Sequence, residues 1–250
     1  MSRSGELEFI MPDWPAPANV HGCCTSRTGG FSAAPWDSLN LADHVGDDPD
    51  RVRENRRLLR EALKLPAEPV WLHQVHGRVV RDAATGRGEA DGAFALRAGI
   101  VCAVLTADCL PVLLCDRGGT RVAALHAGWR GLASGILESG VHALDIDPGE
   151  LLAWLGPAIG PNAFEVGPEV RQQFLQADAA ATEAFTPGVG DRWHADLYVL
   201  ARQRLRRAGV SAVFGGDHCT ATDVQHFYSF RRDGQTGRMA SLIWMESPAI

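Results

Sequence analysis

Two nearly continuous apolar runs lie near the middle of the chain, at residues 100–105 and 112–115. Turn-forming residues bound each run, and within it apolar side chains follow one another without polar alternation. Such runs are typical of strands that are buried on both faces. The pattern therefore predicts two central strands. Residues 121–125 and Leu151–Leu155 show shorter runs of the same kind and are predicted as further strands.

Apolar residues with helical spacing predict four helices, at residues 51–65, 132–144, 168–176 and 196–208. The first helix has clear boundaries, because Asp48 and Pro49 supply an N-cap and a first-turn proline and Pro66 ends it. The last helix is capped by Asp196 and stopped by Gly209.

Short extended segments complete the pattern. Residues 70–72, 78–81 and 213–214 favour strands, and a hairpin is predicted from Phe227 through Asp233-Gly234 to residues 239–244. Strands and helices interleave, and no repeat or long linker interrupts them. We therefore expect an α/β fold with a mixed β-sheet core layered with helices, in a single domain over residues 1–250.

Composition restricts the function classes. No window of about 18 apolar residues occurs and residues 1–20 lack a continuous apolar core, which argues against a membrane span and a secretory signal. The net charge of −6 argues against nucleic acid as a partner. The six cysteines show no disulfide-scaffold spacing, so reduced thiols in the cytoplasm are expected.

One thiol and two imidazoles lie at predicted strand-to-loop junctions. Cys109, His76 and His126 each come within two residues of a proline or a glycine. Functional sites of α/β folds are commonly built at such junctions. The three side chains can act as metal ligands or as a nucleophile and its base, and both alternatives indicate an enzyme.

As metal ligands, His76, Cys109 and His126 would provide one thiolate and two neutral imidazoles, which suit zinc or copper. Three protein ligands leave one coordination position open, as in catalytic sites. His73 is left out, because side chains three residues apart on a strand point to opposite faces. Asp108, next to Cys109, can move a proton or orient an imidazole.

As a nucleophile, Cys109 would pair with His126 or His76 as the base, and Asp108 or a backbone donor would support the pair. A cysteine at the end of a buried strand can also be an ordinary core residue. The spacing of the three residues does not decide between these roles.

Several polar segments are candidates for binding an anion. Residues 26–32 combine glycines, hydroxyls and Arg27, and the segment that follows contains Asn40. Arg130 precedes a predicted helix and can bind an anion together with the helix N-terminus. For residues 230–238 a hairpin is the preferred interpretation, and an anion contact is the second. Ordinary loop or ion-pair roles are the alternative for each segment.

Eight short motifs follow one another over more than 200 residues. They are Ser26-Arg27-Thr28-Gly29-Gly30, Ser38-Leu39-Asn40-Leu41, Gln74-Val75-His76-Gly77, Ala90-Asp91-Gly92, residues 106–111, residues 126–131, residues 156–160 with 164–167, and residues 231–238. In this order they resemble the laccase-domain family, also called the YfiH or polyphenol-oxidase-like family. Each motif alone is weak, but the ordered set is specific.

The resemblance implies a metal site at His76, Cys109 and His126, described mostly with zinc and sometimes with copper. It also implies purine nucleosides and phosphate as substrates: phosphorolysis of adenosine, inosine and S-methyl-5′-thioadenosine, and deamination of adenosine.

These activities assign roles to four further residues. Asp108 would move protons during deamination, next to the Cys109 and His126 pair. Phosphorolysis requires phosphate to be held against the ribose. Arg27, Asn40 and Arg130 are the expected contacts to phosphate and substrate.

Three other functions compete with this interpretation. The family's historical name suggests oxidation of phenols by copper, but multicopper oxidases resemble one another in paired His-x-His motifs, and this chain contains none. Some relatives are implicated in editing cytoplasmic peptidoglycan precursors, which would fit an amide hydrolase with Cys109 as nucleophile. The third alternative is an accessory protein that binds metal without turnover.

Overall fold

Two β-sheets pack face to face, and helices and loops cover the outer side of each sheet. The structure is a computed structural model that describes residues 6–247. Its strands are β1 (Phe9–Ile10), β2 (Val20–Thr25), β3 (Val80–Asp82), β4 (Gly92–Ala95), β5 (Val101–Thr106), β6 (Leu110–Asp116), β7 (Val122–Ala127), β8 (Leu151–Leu155), β9 (Glu165–Val166), β10 (Phe185–Pro187), β11 (Trp193–Ala195), β12 (Ala212–Gly215) and β13 (Met239–Met245). Its α-helices are α1 (Pro49–Ala62), α2 (Trp129–Ser134), α3 (Ile136–Ala143), α4 (Pro168–Ala177), α5 (Leu197–Arg207) and α6 (Phe230–Asp233).

The first sheet consists of antiparallel strands in the order β1-β2-β13-β5. Cys102 and Val104 of β5 belong to the core between the two sheets. Ala103 and Leu105 face the outer side, in one cluster with Leu59 of α1. Because both faces of β5 are covered, the strand has no polar residue before Thr106 at its end, which explains the unbroken apolar run.

The second sheet has six strands in the order β12-β8-β6-β7-β4-β3. β12 is parallel to β8 and β3 is parallel to β4, whereas the other neighbours are antiparallel. Leu113 of β6 faces the core between the sheets, and Leu114 faces a cluster formed with α3, α4 and α5. A small third sheet, β10-β11-β9, has no strand pairing with these two but packs in the same hydrophobic cluster as the outer face of the six-stranded sheet. The predicted α/β fold with a mixed sheet is therefore confirmed.

The predicted N-caps of α1 and α5 are confirmed, whereas α1 ends at Ala62, three residues before its predicted end. The Asp48 carboxylate accepts a hydrogen bond from the N–H of Asp50 at the start of α1. Asp196 caps α5 in the same way. The helix predicted over residues 132–144 is interrupted, because Gly135 has a φ of 101° and separates α2 from α3. A left-handed residue cannot continue a right-handed helix.

The predicted C-terminal hairpin is wrong. β13 pairs with β2 and β5, and residues 230–233 form the short helix α6. The Ser229 hydroxyl caps α6 by accepting a hydrogen bond from the N–H of Arg232, and Gly234 follows with a φ of 69°. Asp233-Gly234 thus ends a helix, a role that needs the same left-handed glycine as a hairpin turn.

Other sequence expectations have mixed outcomes. β2 and β4 were not predicted, and of residues 70–72 only Val70 forms an isolated bridge, to Cys102. The described residues form one domain, and the outer boundaries of 1–250 lie outside them. Within residues 6–247, no helix has both the length and the apolar character required to cross a bilayer.

Candidate metal centre

β6 and β7 are neighbouring central strands of the six-stranded sheet, and they bring Cys109 and His126 together where β6 begins and β7 ends. Cys109 directly precedes β6, and His126 is the next-to-last residue of β7. The two strands are antiparallel and Pro111 pairs with His126, so the start of one strand lies beside the end of the other. His76 comes from the loop before β3, with a φ of 61°. The potential ligand atoms of the three side chains all lie within 4.8 Å of one another.

The three side chains fit a soft divalent ion. Sγ of Cys109 lies 3.9 Å from Nε2 of His76, close to the roughly 3.6 Å expected between sulfur and nitrogen ligands of tetrahedral zinc. The imidazole rings of His76 and His126 stand edge to face, with centroids 4.8 Å apart. Among residues 6–247 this is the one such group of three or more potential ligands, and it does not include His73.

Asp91 holds two of these ligands in place, a role that was not predicted. Its Oδ1 lies 2.8 Å from Nδ1 of His126, and both residues are buried. The carboxylate also accepts hydrogen bonds from the backbone N–H of His76 and Gly77, at 2.9 and 2.6 Å. The Nδ1–H of His126 therefore donates to Asp91, which leaves Nε2 free for an ion. Asp91 directly precedes β4, the neighbour of β7, and this pairing explains the contact.

Cys109 and His126 form a charged pair when no metal is bound. Burial raises the pKa of Cys109. The positive charge of His126 and hydrogen bonds from both imidazoles outweigh this effect and lower the pKa to about 6. Burial lowers the pKa of His126, but the Cys109 thiolate and the Asp91 carboxylate raise it to about 9. At neutral pH the thiol is therefore a thiolate, the form that binds metal and attacks electrophiles.

The three ligands line a cavity of about 400 Å³. Two aromatic residues also line it, the buried Phe164 and the exposed Phe230. Three basic side chains, His44, Arg231 and Arg238, complete the polar part of the wall. The volume and the mixed apolar and polar lining are those of a small-molecule site.

Asp108 lies in the cavity lining, but its carboxylate is already hydrogen-bonded. Oδ1 accepts a hydrogen bond from the hydroxyl of Thr220, and Oδ2 accepts one from the backbone N–H of Arg231, both at 2.6 Å. Asp108 directly precedes Cys109. Its two hydrogen bonds therefore tie the C-terminal segments of Thr220 and Arg231 to the backbone beside Cys109. The role of Asp108 in proton transfer stays a prediction.

The structure does not bring Arg27 into the cavity lining. Its guanidinium donates to the backbone carbonyls of Asp37 and Val224 and lies over the ring of Tyr228 at 4.9 Å. These contacts describe a side chain that fixes three segments of the chain to one another.

Asn40 and Arg130 also lie outside the cavity lining. Asn40 is fully buried, and its Oδ1 accepts hydrogen bonds from the backbone N–H of Ala42 and Arg238. Arg130 is exposed in α2, with its guanidinium 4.5 Å from the ring centroid of Trp129. Asn40 thus contacts the cavity wall only through the backbone of Arg238.

Known proteins resemble this chain over nearly its whole length. Purine nucleoside phosphorylase YfiH of Escherichia coli is 54% identical over 242 residues, which cover 95% of this chain and 99% of the relative. A purine nucleoside phosphorylase of Pseudomonas aeruginosa is 55% identical over 240 residues, covering 95% and 98%. A crystal structure of a Neisseria meningitidis protein matches with a TM-score of 0.92 at 50% identity, covering 96% and 99%.

The family assignment agrees with these similarities. A family model described as multi-copper polyphenol oxidoreductase laccase matches residues 21–246. That range contains β2 except its first residue, every strand from β3 to β13 and all three candidate ligands. The chain therefore belongs to this laccase-like family, the family of the YfiH proteins.

Proposed function

We propose that this protein is a zinc-dependent purine nucleoside phosphorylase of the cytoplasm. Its proposed substrates are adenosine, inosine and S-methyl-5′-thioadenosine, and its proposed second activity is deamination of adenosine. The proposal is supported by relatives that are 54% and 55% identical and named as purine nucleoside phosphorylases. The observation that carries it is the group His76, Cys109 and His126 in the wall of a nucleoside-sized cavity.

Phosphorolysis exchanges one bond at the ribose. A phosphate oxygen bonds to C1′ while the C1′–N9 bond breaks, and the bonding electron pair stays with the purine, which takes up a proton. His76, Cys109 and His126 would hold the zinc ion, which when bound supplies positive charge beside the reacting group. Phe164 and Phe230 offer apolar surfaces for the purine.

Deamination makes use of a proton carrier in the same cavity. The oxygen of water adds to C6 of adenosine, the bond from C6 to the amino nitrogen breaks, and ammonia leaves. We assign the proton transfers to Asp108. The Thr220 hydroxyl donates a hydrogen bond to Oδ1 at 2.6 Å and would orient the carboxylate for this role.

Product analysis tests both activities. Zinc-loaded protein should convert adenosine to adenine and ribose 1-phosphate only when phosphate is present, and to inosine and ammonia without it. Cys109→Ala should lose both activities, whereas Cys219→Ala, a half-buried cysteine outside the cavity lining, should keep them. The proposal is wrong if the zinc-loaded wild type shows neither reaction.

A thiol-dependent amide hydrolase is the second candidate. The observation in its favour is the order Cys109–His126–Asp91, in which a carboxylate orients the imidazole beside a thiol. The substrates would be cytoplasmic peptidoglycan precursors. Hydrolysis of such precursors that survives chelation of metal, and that alkylation of Cys109 abolishes, would favour this candidate over the phosphorylase.

Metal analysis separates zinc from copper. The donor set suits either ion, and the family description names copper. One group of three ligands among residues 6–247 provides for a single ion and not for a multicopper centre. We expect one equivalent of zinc per chain. Stoichiometric metal without turnover of either substrate class would instead indicate an accessory protein.

A further inference from the structure

Within the described part of the chain, the cavity lining contains two arginines and one carboxylate, Asp108. Arg231 and Arg238 form no ion pair with any carboxylate among residues 6–247. The charge of Asp108 and that of the Cys109 thiolate offset only part of the effect of burial on Arg238, whose pKa stays below its usual value. Arg231 is exposed, whereas Arg238 is half-buried, and a half-buried guanidinium is costly unless an anion balances its charge. The cavity therefore has a place for an anion.

Arg238 is held in a fixed position. Its Nη1 donates to the backbone carbonyls of Thr236 and Gly237, both at 2.9 Å. Asn40 fixes the backbone at the same residue, because its Oδ1 accepts the N–H of Arg238 at 3.0 Å. No acceptor among residues 6–247 bonds to Nε or Nη2 of Arg238, so the outer edge of the guanidinium keeps free donors.

Two further basic groups line the same cavity as Arg238. Arg231 also lines the cavity. Its Nη1 donates to the backbone carbonyl of Glu165 at 2.9 Å, and its guanidinium lies 5.3 Å from the ring of Phe164, so Nε and Nη2 are its remaining donors. His44 lines the cavity as well. Burial and the charge of Arg238 lower the pKa of His44. These effects outweigh that of Asp43, which raises the pKa and whose Oδ1 lies 3.7 Å from Nδ1 of His44. A neutral His44 offers one N–H donor without adding a third charge.

We propose that Arg238, with Arg231 and His44, forms a subsite for a tetrahedral phosphate dianion. The ligand is inorganic phosphate before the reaction and the phosphate group of the sugar 1-phosphate after it. Guanidinium groups with free N–H edges bind phosphate oxygens in pairs. This subsite rests on the proposed phosphorolysis and adds the residues that bind its second substrate.

The subsite does not use Arg27, Asn40 and Arg130, the phosphate and substrate contacts that were predicted first. Arg231 and Arg238 instead lie in residues 230–238, for which an anion contact was the second interpretation. Arg27 has its donors engaged with backbone carbonyls outside the cavity, and Arg130 is exposed on α2. Asn40 belongs to the subsite only through its bond to the backbone of Arg238. The competing assignments make opposite predictions for single substitutions at Arg27 and Arg238.

Equilibrium binding of radiolabelled inorganic phosphate tests the subsite without turnover. In zinc-loaded protein, Arg238→Gln should weaken binding by about 10- to 100-fold, because a charged hydrogen-bonding group is lost. Arg231→Gln should have a smaller effect, and Arg238→Lys should recover part of the affinity. Arg117→Gln, an exposed arginine outside the cavity, is the matched control and should bind as the wild type does.

Kinetics and a sugar phosphate give independent measurements. Arg238→Gln should raise the KM for phosphate by a similar factor and leave the KM for adenosine within about twofold. Ribose 1-phosphate, titrated alone, should bind the wild type and lose affinity in Arg238→Gln. Thermal unfolding of Arg238→Gln and Arg238→Lys, compared with wild type, confirms that each variant is folded.

The possible outcomes separate this proposal from the phosphorylase function. Phosphate binding that depends on Arg238 in a protein without phosphorolysis would support the subsite and contradict the function. Phosphorolysis by the wild type with unchanged phosphate affinity in folded Arg238→Gln would overturn the subsite. A loss of phosphate affinity in Arg27→Gln but not in Arg238→Gln would overturn it as well.

Discussion

Asp91 and His126 form a buried pair, with Oδ1 of the carboxylate 2.8 Å from Nδ1 of the imidazole. The same carboxylate accepts the backbone N–H groups of His76 and Gly77. One acid therefore fixes the ring of one metal ligand and the backbone of another. Burial raises the pKa of Asp91, but the hydrogen bonds from His126 and Gly77 lower it below its usual value, so the acid stays charged.

Asp91→Asn should lower zinc affinity about 10- to 100-fold, the usual effect of removing a partner of a ligating histidine. An amide no longer favours the tautomer of His126 that leaves Nε2 unprotonated. Competition with a chelator of known affinity measures the change. Asp191→Asn, at an exposed carboxylate, is the control. Equal zinc affinity in Asp91→Asn and wild type would show that Asp91 does not orient His126.

Gly128 has no side chain, and the side chains of two metal ligands, Cys109 and His76, occupy the space where its Cβ would lie. A Cβ at this position would lie 2.9 Å from Sγ of Cys109 and 3.0 Å from Cδ2 of His76. Its φ of −61° is open to alanine, so the constraint is space and not backbone conformation. Gly128 is also the N-cap residue of α2, directly after β7.

Gly128→Ala should weaken zinc binding by on the order of 10-fold or more, because at least one ligand must move. The free energy of unfolding of the metal-free protein should change by about 1 kcal/mol or less, since alanine is tolerated at this φ. Zinc titration and urea unfolding measure the two effects. Gly149→Ala, at an exposed glycine away from the cavity, is the control. Wild-type zinc affinity in Gly128→Ala would refute the steric argument.

The thiol of Cys109 should titrate near pH 6 in metal-free protein. Its pKa is lowered to about 6, so the thiolate fraction rises as the pH increases through that value. Thiolate absorbance at 240 nm, taken as the difference between wild type and Cys109→Ala, follows the titration. His126→Gln should move the midpoint upward, toward that of an ordinary thiol, because the imidazolium charge is removed. A midpoint above pH 8 in the wild type would contradict the charged pair.

Local patterns were sufficient for the strands with both faces buried. β5 and β6 stand out as apolar runs because each is covered on two sides. β2 contains His21 and Gly22 and pairs with β13, more than 200 residues away, and no local pattern encodes that pairing. The helix break at Gly135, which has the αL conformation, could not be predicted either, because a single glycine inside a helical pattern is often tolerated.

The candidate ligands were recognisable for a different reason. Cys109, His76 and His126 have side chains whose chemistry limits their roles, and each stands beside a turn. Asp91 and Arg238 have common roles in most proteins, and they reach the site only through the pairing of β4 with β7 and the loop before β13. Arg27 fits an anion motif in sequence, yet the fold uses its donors elsewhere.

Gly140 permits a close approach of α3 to β7, the strand that carries His126. A Cβ on Gly140 would lie 2.8 Å from Cδ2 of Leu125 and closer still to its Cδ1. Both residues are fully buried, and Leu125 packs in the cluster between the sheet and the helices. The two positions therefore share one volume, and substitutions at them should be coupled.

Gly140→Ala should destabilise the protein by about 1–3 kcal/mol through overpacking, and Leu125→Ala by about 2–5 kcal/mol through a cavity. The loss of unfolding free energy in the double variant should be smaller than the sum of the two single losses by about 1 kcal/mol, because the new methyl group occupies part of the vacated space. Urea unfolding of the metal-free proteins measures the cycle. Ser139→Ala, on the neighbouring position of α3, should stay within about 0.5 kcal/mol of wild type. Additive effects would mean that α3 shifts away from β7 rather than pressing on Leu125.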